Sequence, residues 1–232
     1  MTEIKEGALF VADAHYPHHG DEFIQLLKEL ETGAIVAPQL FLMGDIFDLL
    51  FGYNDYILTF CNEAISTLQK LSQKIEIHYF EGNHDFCLKY IFPNINVYSR
   101  DEQPIIMKLG SKRVALSHGD KYETGFAYGL YCKLLRNKIT LNLLKPFEKN
   151  IINYQMDKLP SKIICRKMSD FEQKAKAITS NYKDVDIVIE GHFHQAASIG
   201  KYISLPSLAC QKKFAIAQEG NIIFLDINQK NK

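Results

Sequence analysis

Five short clusters in this chain carry side chains able to hold a divalent cation. They are Asp13 and His15 in DAH, Asp45 in GD, Asn83 and His84 in GNHD, His118 in SHGD, and His192 and His194 in GHFH. Carboxylate and amide oxygen mixed with imidazole nitrogen is a donor set for Mn2+, Fe2+ or Zn2+, not for Ca2+ or a Cys-rich structural site. Eight such groups exceed the needs of one ion. They fit two ions that share a bridging carboxylate, roughly 3.5–4 Å apart, as in metal-assisted phosphoryl chemistry. Phosphoesters resist hydrolysis because their oxygens repel an anionic nucleophile. Two cations neutralise that charge and lower the pKa of water toward neutrality. Any one of these residues alone is as well explained by a turn carboxylate or a hydrogen-bonded loop histidine; five clusters together are not. His18, His19 and His78 have no such placement and are expected only to pack or to lie at the surface.

The clusters need elements to hold them, and the surrounding pattern supplies strands. GALFVAD, PQLFLMGD, KIEIHYFEGN, KRVALSHGD and VDIVIEGHFH are apolar or alternating runs, each ending in one of the polar clusters. GDEFIQLLKELETG places Phe23, Leu26, Leu27 and Leu30 on one helical face, with Gly33 as its stop. NDYILTFCNEAISTLQKLS predicts a second amphipathic helix that opens at an Asn or Asp cap. Strand–helix alternation of this kind predicts an α/β core with a largely parallel sheet, whose ligands bind outside the carboxyl ends of the strands. KFAIAQEGNIIFLDI closes the chain as a hairpin around EGN.

Residues 121–182 break the rhythm. They contain no strand pattern and read as helices rich in Tyr, Phe, Leu and Lys, placed between two of the polar strand ends. The expectation is a core of residues 1–120 and 183–232 with a helical cap, 121–182, over the strand tips. Charge is uneven there: residues 131–167 hold nine basic side chains against only Glu148 and Asp157. Over the full 232 residues the balance is neutral, with 27 basic and 27 acidic residues, so no overall charge points to nucleic acid. Five scattered cysteines without CxxC spacing are expected to be free thiols, which suits a reducing cytosol. No run approaches membrane-spanning length, and a cytoplasmic protein is the expectation.

The ordered series D-x-H, G-D-x-x-D, G-N-H-D, H-G-D, G-H-x-H resembles the calcineurin-like metallophosphoesterase superfamily over residues 13–194. The resemblance implies a four-layer α/β sandwich, two stacked mixed sheets flanked by helices, with the helical segment as a cap insertion. Carried over motif by motif, it makes Asp13, His15 and His194 ligands of a first metal and Asn83, His118 and His192 ligands of a second, with Asp45 bridging both. His84 then stands beside the metals without ligating them, placed to stabilise the transition state or protonate a leaving group. Asp48 and Asp85 match motif carboxylates that orient the ligands, and Gly82 gives the backbone freedom to turn.

Within the superfamily, GDIFDLL, GNHDF, SHGD and the helical insertion before GHFH are most similar to the UDP-2,3-diacylglucosamine hydrolases. That implies cleavage of a pyrophosphate to UMP and 2,3-diacylglucosamine 1-phosphate for lipid A synthesis, two Mn2+ ions (Fe2+ or Zn2+ as alternatives), and a cap that forms a lid over acyl chains and meets the inner membrane peripherally. Phe126, Tyr128, Leu130, Tyr131, Leu134 and Leu135 are the candidate acyl-pocket residues. Lys162, Arg166 and Lys167 are the candidate phosphate contacts. Ordinary helix packing and a solvated face account for these two sets equally well. One departure is visible: these hydrolases have Arg where this chain has His84. A phosphatase or phosphodiesterase of the same fold, acting on a nucleotide or other small phosphoester, is the competing expectation. A nuclease would want a broader basic face, and a non-enzymatic scaffold would have lost ligands.

Overall fold

Period-two alternation along the strands decides the layering. In β1 (Leu9–Val11), β2 (Gln39–Leu42) and β4 (Glu76–Phe80), the side chains of Leu9, Val11, Leu40, Leu42, Ile77 and Tyr79 face one way. Phe10, Phe41 and Phe80 face the other. The first set packs under α1 (Glu22–Thr32) and α3 (Asn62–Leu71), whose buried stripes include Leu26, Leu27, Ala64 and Leu68. The second set meets Val114 and Leu116 of β8 (Lys112–Ser117) and Ile189 of β9 (Ile187–Glu190), which forms the core between two sheets. On the far side Ala115 and Val188 pack against Phe171, Ala175 and Ile178 of α6 (Phe171–Thr179). The computed structural model describes residues 1–122, 133–134 and 136–227, and it is a four-layer α/β/β/α sandwich.

Both sheets are mixed. The six-stranded sheet runs β13-β12-β1-β2-β4-β6, where β6 is Asn96–Tyr98, β12 is Lys213–Gln218 and β13 is Asn221–Asp226. Its members β1, β2, β4 and β6 are parallel, and β12 and β13 form the expected antiparallel hairpin at its edge. The five-stranded sheet runs β10-β11-β9-β8-β7, with β7 at Ile105–Leu109, β10 at Ala197–Ile199 and β11 at Tyr202–Ser204. There β8, β9 and β11 are parallel. A small parallel pair joins β3 (Leu50–Phe51) to β5 (Asp85–Phe86) beside the polar strand ends.

Three sequence expectations need correction. The stretch 54–72 is two helices, α2 (Asp55–Leu58) and α3, not one. Asn54 caps α2 by accepting from the Ile57 amide, but the amides of Thr59, Phe60 and Cys61 then bond three residues back and Thr59 Oγ1 takes the Tyr56 carbonyl, so the α-ladder stops. The helical expectation for 121–182 fails over 162–168, which form an irregular run, and the helix that follows it, α6, packs on the second sheet instead of the cap. Cys165 and Cys210 are not free: they form a disulfide with Cα atoms 5.5 Å apart. Their separation of 45 residues leaves no spacing signal; the pairing arises because the irregular run passes beside α7 (Leu208–Gln211).

Within the segment expected to be a cap lie α4 (Lys138–Leu144) and α5 (Glu148–Lys158). Ile152, Met156 and Leu159 join the first core cluster. Asn54 Nδ2 donates to Glu148 at 2.9 Å and Tyr56 donates to Asn153 at 2.8 Å, so α2 anchors α5 from below.

Candidate metal centre

Every expected cluster leaves the C-terminal end of a strand: Asp13 and His15 after β1, Asp45 after β2, Asn83 and His84 after β4, His118 after β8, His192 and His194 after β9. The backbone there is unusual. Asp13 (φ 50°), His15 (46°), Asp45 (50°), His192 (60°) and His194 (54°) adopt the left-handed region and make up half of the ten non-glycine residues with positive φ among the described residues. Such conformations cost on the order of 1 kcal/mol or more each and collect at functional sites, where the surrounding fold enforces them.

The strand ends converge on two adjacent groups. Asp13, His15 and His194 present ligand atoms within 4.8 Å of one another, as do Asp45, His118 and His192. Asn83 Oδ1 lies 3.4 Å from His118 Nε2, which is 3.5 Å from Asp45 Oδ2. His118 Nδ1 donates to the Met43 carbonyl at 2.9 Å, which turns Nε2 toward Asp45 and Asn83. Asp13 and Asp45 are fully enclosed. Burial pushes their pKa values up, yet His194 beside Asp13 and His118 and His84 beside Asp45 outweigh it and hold both carboxylates down. The same pairs, against the pull of burial, raise His118 and His194. Two buried carboxylates thus draw protons onto neighbouring imidazoles, the compensation that a cation makes unnecessary. Both ring nitrogens of His15 are buried without a hydrogen-bond partner. These residues fit a pair of divalent ions.

Buried donors lock the frame around them. Asp85 accepts from the amides of Asp45 (3.0 Å), Ile46 (2.7 Å) and Gly82 (2.8 Å) and from the Tyr79 hydroxyl (2.6 Å). It therefore ties the β2 and β4 ends together. Gly82 plays a different part from the one its sequence context suggests. Its backbone is not left-handed; what matters is space, because a Cβ there would fall 2.3 Å from Asp45 Oδ1. Gly44 is needed on both counts, with φ at 85° and a would-be Cβ 2.3 Å from His118 Nδ1.

His84 sits at the mouth. Its amide donates to Asp45 Oδ1 at 2.8 Å and its Nδ1 donates to the Asp48 carbonyl at 2.6 Å. Nε2 is left as an acceptor, and Lys162 Nζ reaches it at 2.9 Å. Burial, reinforced by His15 and Lys162 against Asp45, lowers the His84 pKa. The Asp48 carboxylate faces three imidazoles: His18 Nδ1 at 2.9 Å, His15 Nδ1 at 3.4 Å and His19 Nε2 at 3.6 Å.

A cleft of about 480 Å3 opens from Asn83, His84 and Asp48 into the cap. Leu141, Leu144, Ile151, Ile152 and Leu159 supply its apolar wall; Arg136, Lys158 and Lys162 supply positive charge. Arg136 donates to the Gly82 carbonyl at 2.8 Å and stacks over Phe86. Of the expected substrate contacts, Lys162 lines this cleft while Arg166 and Lys167 are exposed outside it. Tyr131, Phe126, Tyr128, Leu130 and Leu135 lie outside the described residues. Leu134 is exposed and does not line the cleft. Sequence reasoning missed Arg136, α4 and α5 as cleft walls, and His18 and His19 as partners of Asp48. For the histidines the signal was present in DAHYPHH, three residues on from a ligand-type histidine. For Arg136 there was none.

The calcineurin-like phosphoesterase family model matches residues 8–196. A UDP-2,3-diacylglucosamine hydrolase of Blochmanniella pennsylvanica is 28% identical, over 96% of this chain and 92% of its own length. Another from Histophilus somni is 29% identical over 80% of this chain and 83% of its own. Among solved structures, the E. coli phosphoesterase Yfce aligns over 97% of this chain and 94% of its own, at 13% identity and a TM-score of 0.48. With the family match spanning every one of the five clusters, the chain belongs to the calcineurin-like phosphoesterase family and is a metal-dependent hydrolase.

Proposed function

We propose that the protein is a dinuclear phosphoesterase that hydrolyses the pyrophosphate of UDP-2,3-diacylglucosamine to UMP and 2,3-diacylglucosamine 1-phosphate. In this reading Asp13, His15 and His194 hold one ion, Asn83, His118 and His192 hold the other, and Asp45 bridges them. Mn2+ is the ion we assign to both positions, since oxygen and imidazole donors in this mixture suit it. Bound there, the ions neutralise phosphoryl charge and lower the pKa of water toward neutrality.

The chain's own groups do the rest. His84 Nε2 accepts from Lys162 Nζ at the mouth, and the ammonium held there meets the non-bridging oxygens of the diphosphate. Either product leaves as a phosphate monoester, a weakly basic leaving group. Charge stabilisation is therefore the role we assign to this pair, ahead of proton donation. Related hydrolases carry Arg at the position of His84; Lys162 supplies a fixed cation at the same edge. Arg136 adds a second cation that the Gly82 carbonyl orients.

The observation that carries the substrate assignment is the apolar cleft beside Asn83 and His84, roofed by α4 and α5. A small phosphoester would not need such a wall. Acyl chains would, since each buried CH2 contributes about 0.8 kcal/mol. Residues 121–182 then act as the lid, although α6 within that range belongs to the packed sandwich. The lid also exposes Ile139, Leu143, Phe147 and Tyr154 among Lys138, Lys145 and Lys149. That mixture suits peripheral contact with an anionic membrane, from which a lipid substrate would be drawn. Among the described residues no helix is long and apolar enough to cross a membrane.

The test is kcat/KM for UDP-2,3-diacylglucosamine against UDP-glucosamine without acyl chains. The reading requires the acylated substrate to win by orders of magnitude, with UMP as product. Equal values would leave a metallophosphoesterase of small substrates and remove the lipid assignment.

A further inference from the structure

His18 and His19 belong to none of the five metal clusters, yet both converge on the carboxylate that faces a metal-site histidine. Asp48 is 1% exposed and His15 is 3% exposed at their side chains. Oδ2 of Asp48 accepts twice from His18, from its amide at 3.0 Å and from its ring Nδ1 at 2.9 Å. Those two donors fix both the position and the rotation of the carboxylate. The other oxygen, Oδ1, is thereby aimed between His15 Nδ1 at 3.4 Å and His19 Nε2 at 3.6 Å. Neither approach reaches hydrogen-bond geometry, but a carboxylate can only accept, so an Oδ1 3.4 Å from Nδ1 favours the His15 tautomer with its proton there and a bare Nε2. Both ring nitrogens of His15, His19 Nε2 and Asp48 Oδ1 are buried without a hydrogen-bond partner. The His15 amide bonds the Asp45 carbonyl at 3.1 Å and the His19 amide bonds the His15 carbonyl at 3.2 Å, so the three rings sit on one short turn. His15 and His19 meet edge to face with ring centroids 5.8 Å apart.

From this geometry we infer that His18, with His19 beside it, is a positioning residue of the metal centre. It clamps Asp48 so that Asp48 orients His15 toward its ion. The inference rests on the two-ion reading given above and adds to it two residues outside the five clusters. It assigns no substrate contact to either histidine. Outer-shell partners of this kind change metal affinity by about 10–100-fold when removed. The loss should fall on the ion held by Asp13, His15 and His194, because Asp48 faces His15 and the other group is held by Met43 and Asp85 contacts.

Mn2+ titration of the metal-free full chain, followed by the EPR signal of free Mn2+, tests this for wild type, His18→Ala, His18→Asn and His18→Gln. Asn carries its amide nitrogen where Nδ1 stands; Gln carries it further out, near Nε2. The expected result is two ions per chain throughout. One dissociation constant should rise about 10–100-fold in His18→Ala and His18→Gln and stay within about threefold of wild type in His18→Asn, the other remaining unchanged. Activity of His18→Ala should return at high Mn2+. Melting temperatures of the metal-free variants separate the alternative: a residue that only holds the 17–20 loop would lower stability and leave both constants alone. That outcome overturns the inference, as does equal binding by the Asn and Gln variants, which remain decisive if the Ala variant fails to fold. A wild type that binds no Mn2+ would instead overturn the two-ion reading beneath it.

Discussion

Replacing Gly82 with Ala adds one carbon at a place where none fits. The Cβ would lie 2.3 Å from Asp45 Oδ1 and 2.6 Å from the Asp45 amide nitrogen, whereas ordinary contact begins at 3.4 Å. The carboxylate must therefore retreat by the difference between 3.4 and 2.3 Å, about 1.1 Å, and the backbone by about 0.8 Å. Backbone conformation adds no penalty, because Gly82 is not in the left-handed region. Retreat of the chain is resisted, since the amides of both Asp45 and Gly82 are bonded to Asp85 Oδ1. Overpacking of this size costs about 1–3 kcal/mol of stability, and each kcal/mol lowers the melting temperature of a chain this long by about 2–4 °C. The larger consequence is catalytic: a displacement near 1 Å costs about 10²-fold in rate. Gly82→Ala should therefore fold, melt several degrees lower, bind Mn2+ more weakly and lose about 10²-fold in kcat on the UDP-linked substrate. Wild-type kcat and Mn2+ content in the folded variant would refute the claim that the Asp45 carboxylate is the precisely placed bridge.

His84→Ala should lower kcat by about 10²-fold while both ions stay bound; loss of one ion, with activity restored by excess Mn2+, would make His84 a ligand instead. Ile151→Glu puts a charge in the apolar wall of the cleft at a half-exposed position. It should cut kcat/KM for the acylated substrate about 10–100-fold, the worth of two or three buried methylenes, and leave the unacylated one unchanged. Equal effects on both substrates would deny the wall an acyl-binding role. Cys165→Ser opens a loop spanning 45 residues and should cost about 4 kcal/mol in denaturant unfolding under oxidising conditions. No difference from wild type, with no thiols gained on reduction of the unfolded chain, would contradict the pairing with Cys210.

The polar clusters were legible because strand ends are marked locally. An alternating run such as PQLFLMGD announces both the strand and the polar residues at its tip. The helix 22–32 was legible for the same reason, down to Gly33 in the left-handed stop. What pattern could not give was tertiary. Whether the two sheets are mixed depends on strand order, and β12 lying antiparallel to β1 follows from chain routing, not from composition. The break at Thr59–Cys61 depends on one hydroxyl competing for a carbonyl. The cleft walls fell on α4 and α5 because α2 anchors α5 through Asn54 and Tyr56, contacts that span nearly a hundred residues of sequence. The disulfide escaped for the same reason: only folding brings Cys165 to α7.

Anomalous diffraction from crystals grown with Mn2+ tests the central claim most directly. The account predicts two peaks per chain, roughly 3.5–4 Å apart. One should lie among Asp13, His15 and His194, the other among Asn83, His118 and His192, with Asp45 oxygen reaching both. A single peak, or two peaks that do not share Asp45, would contradict it.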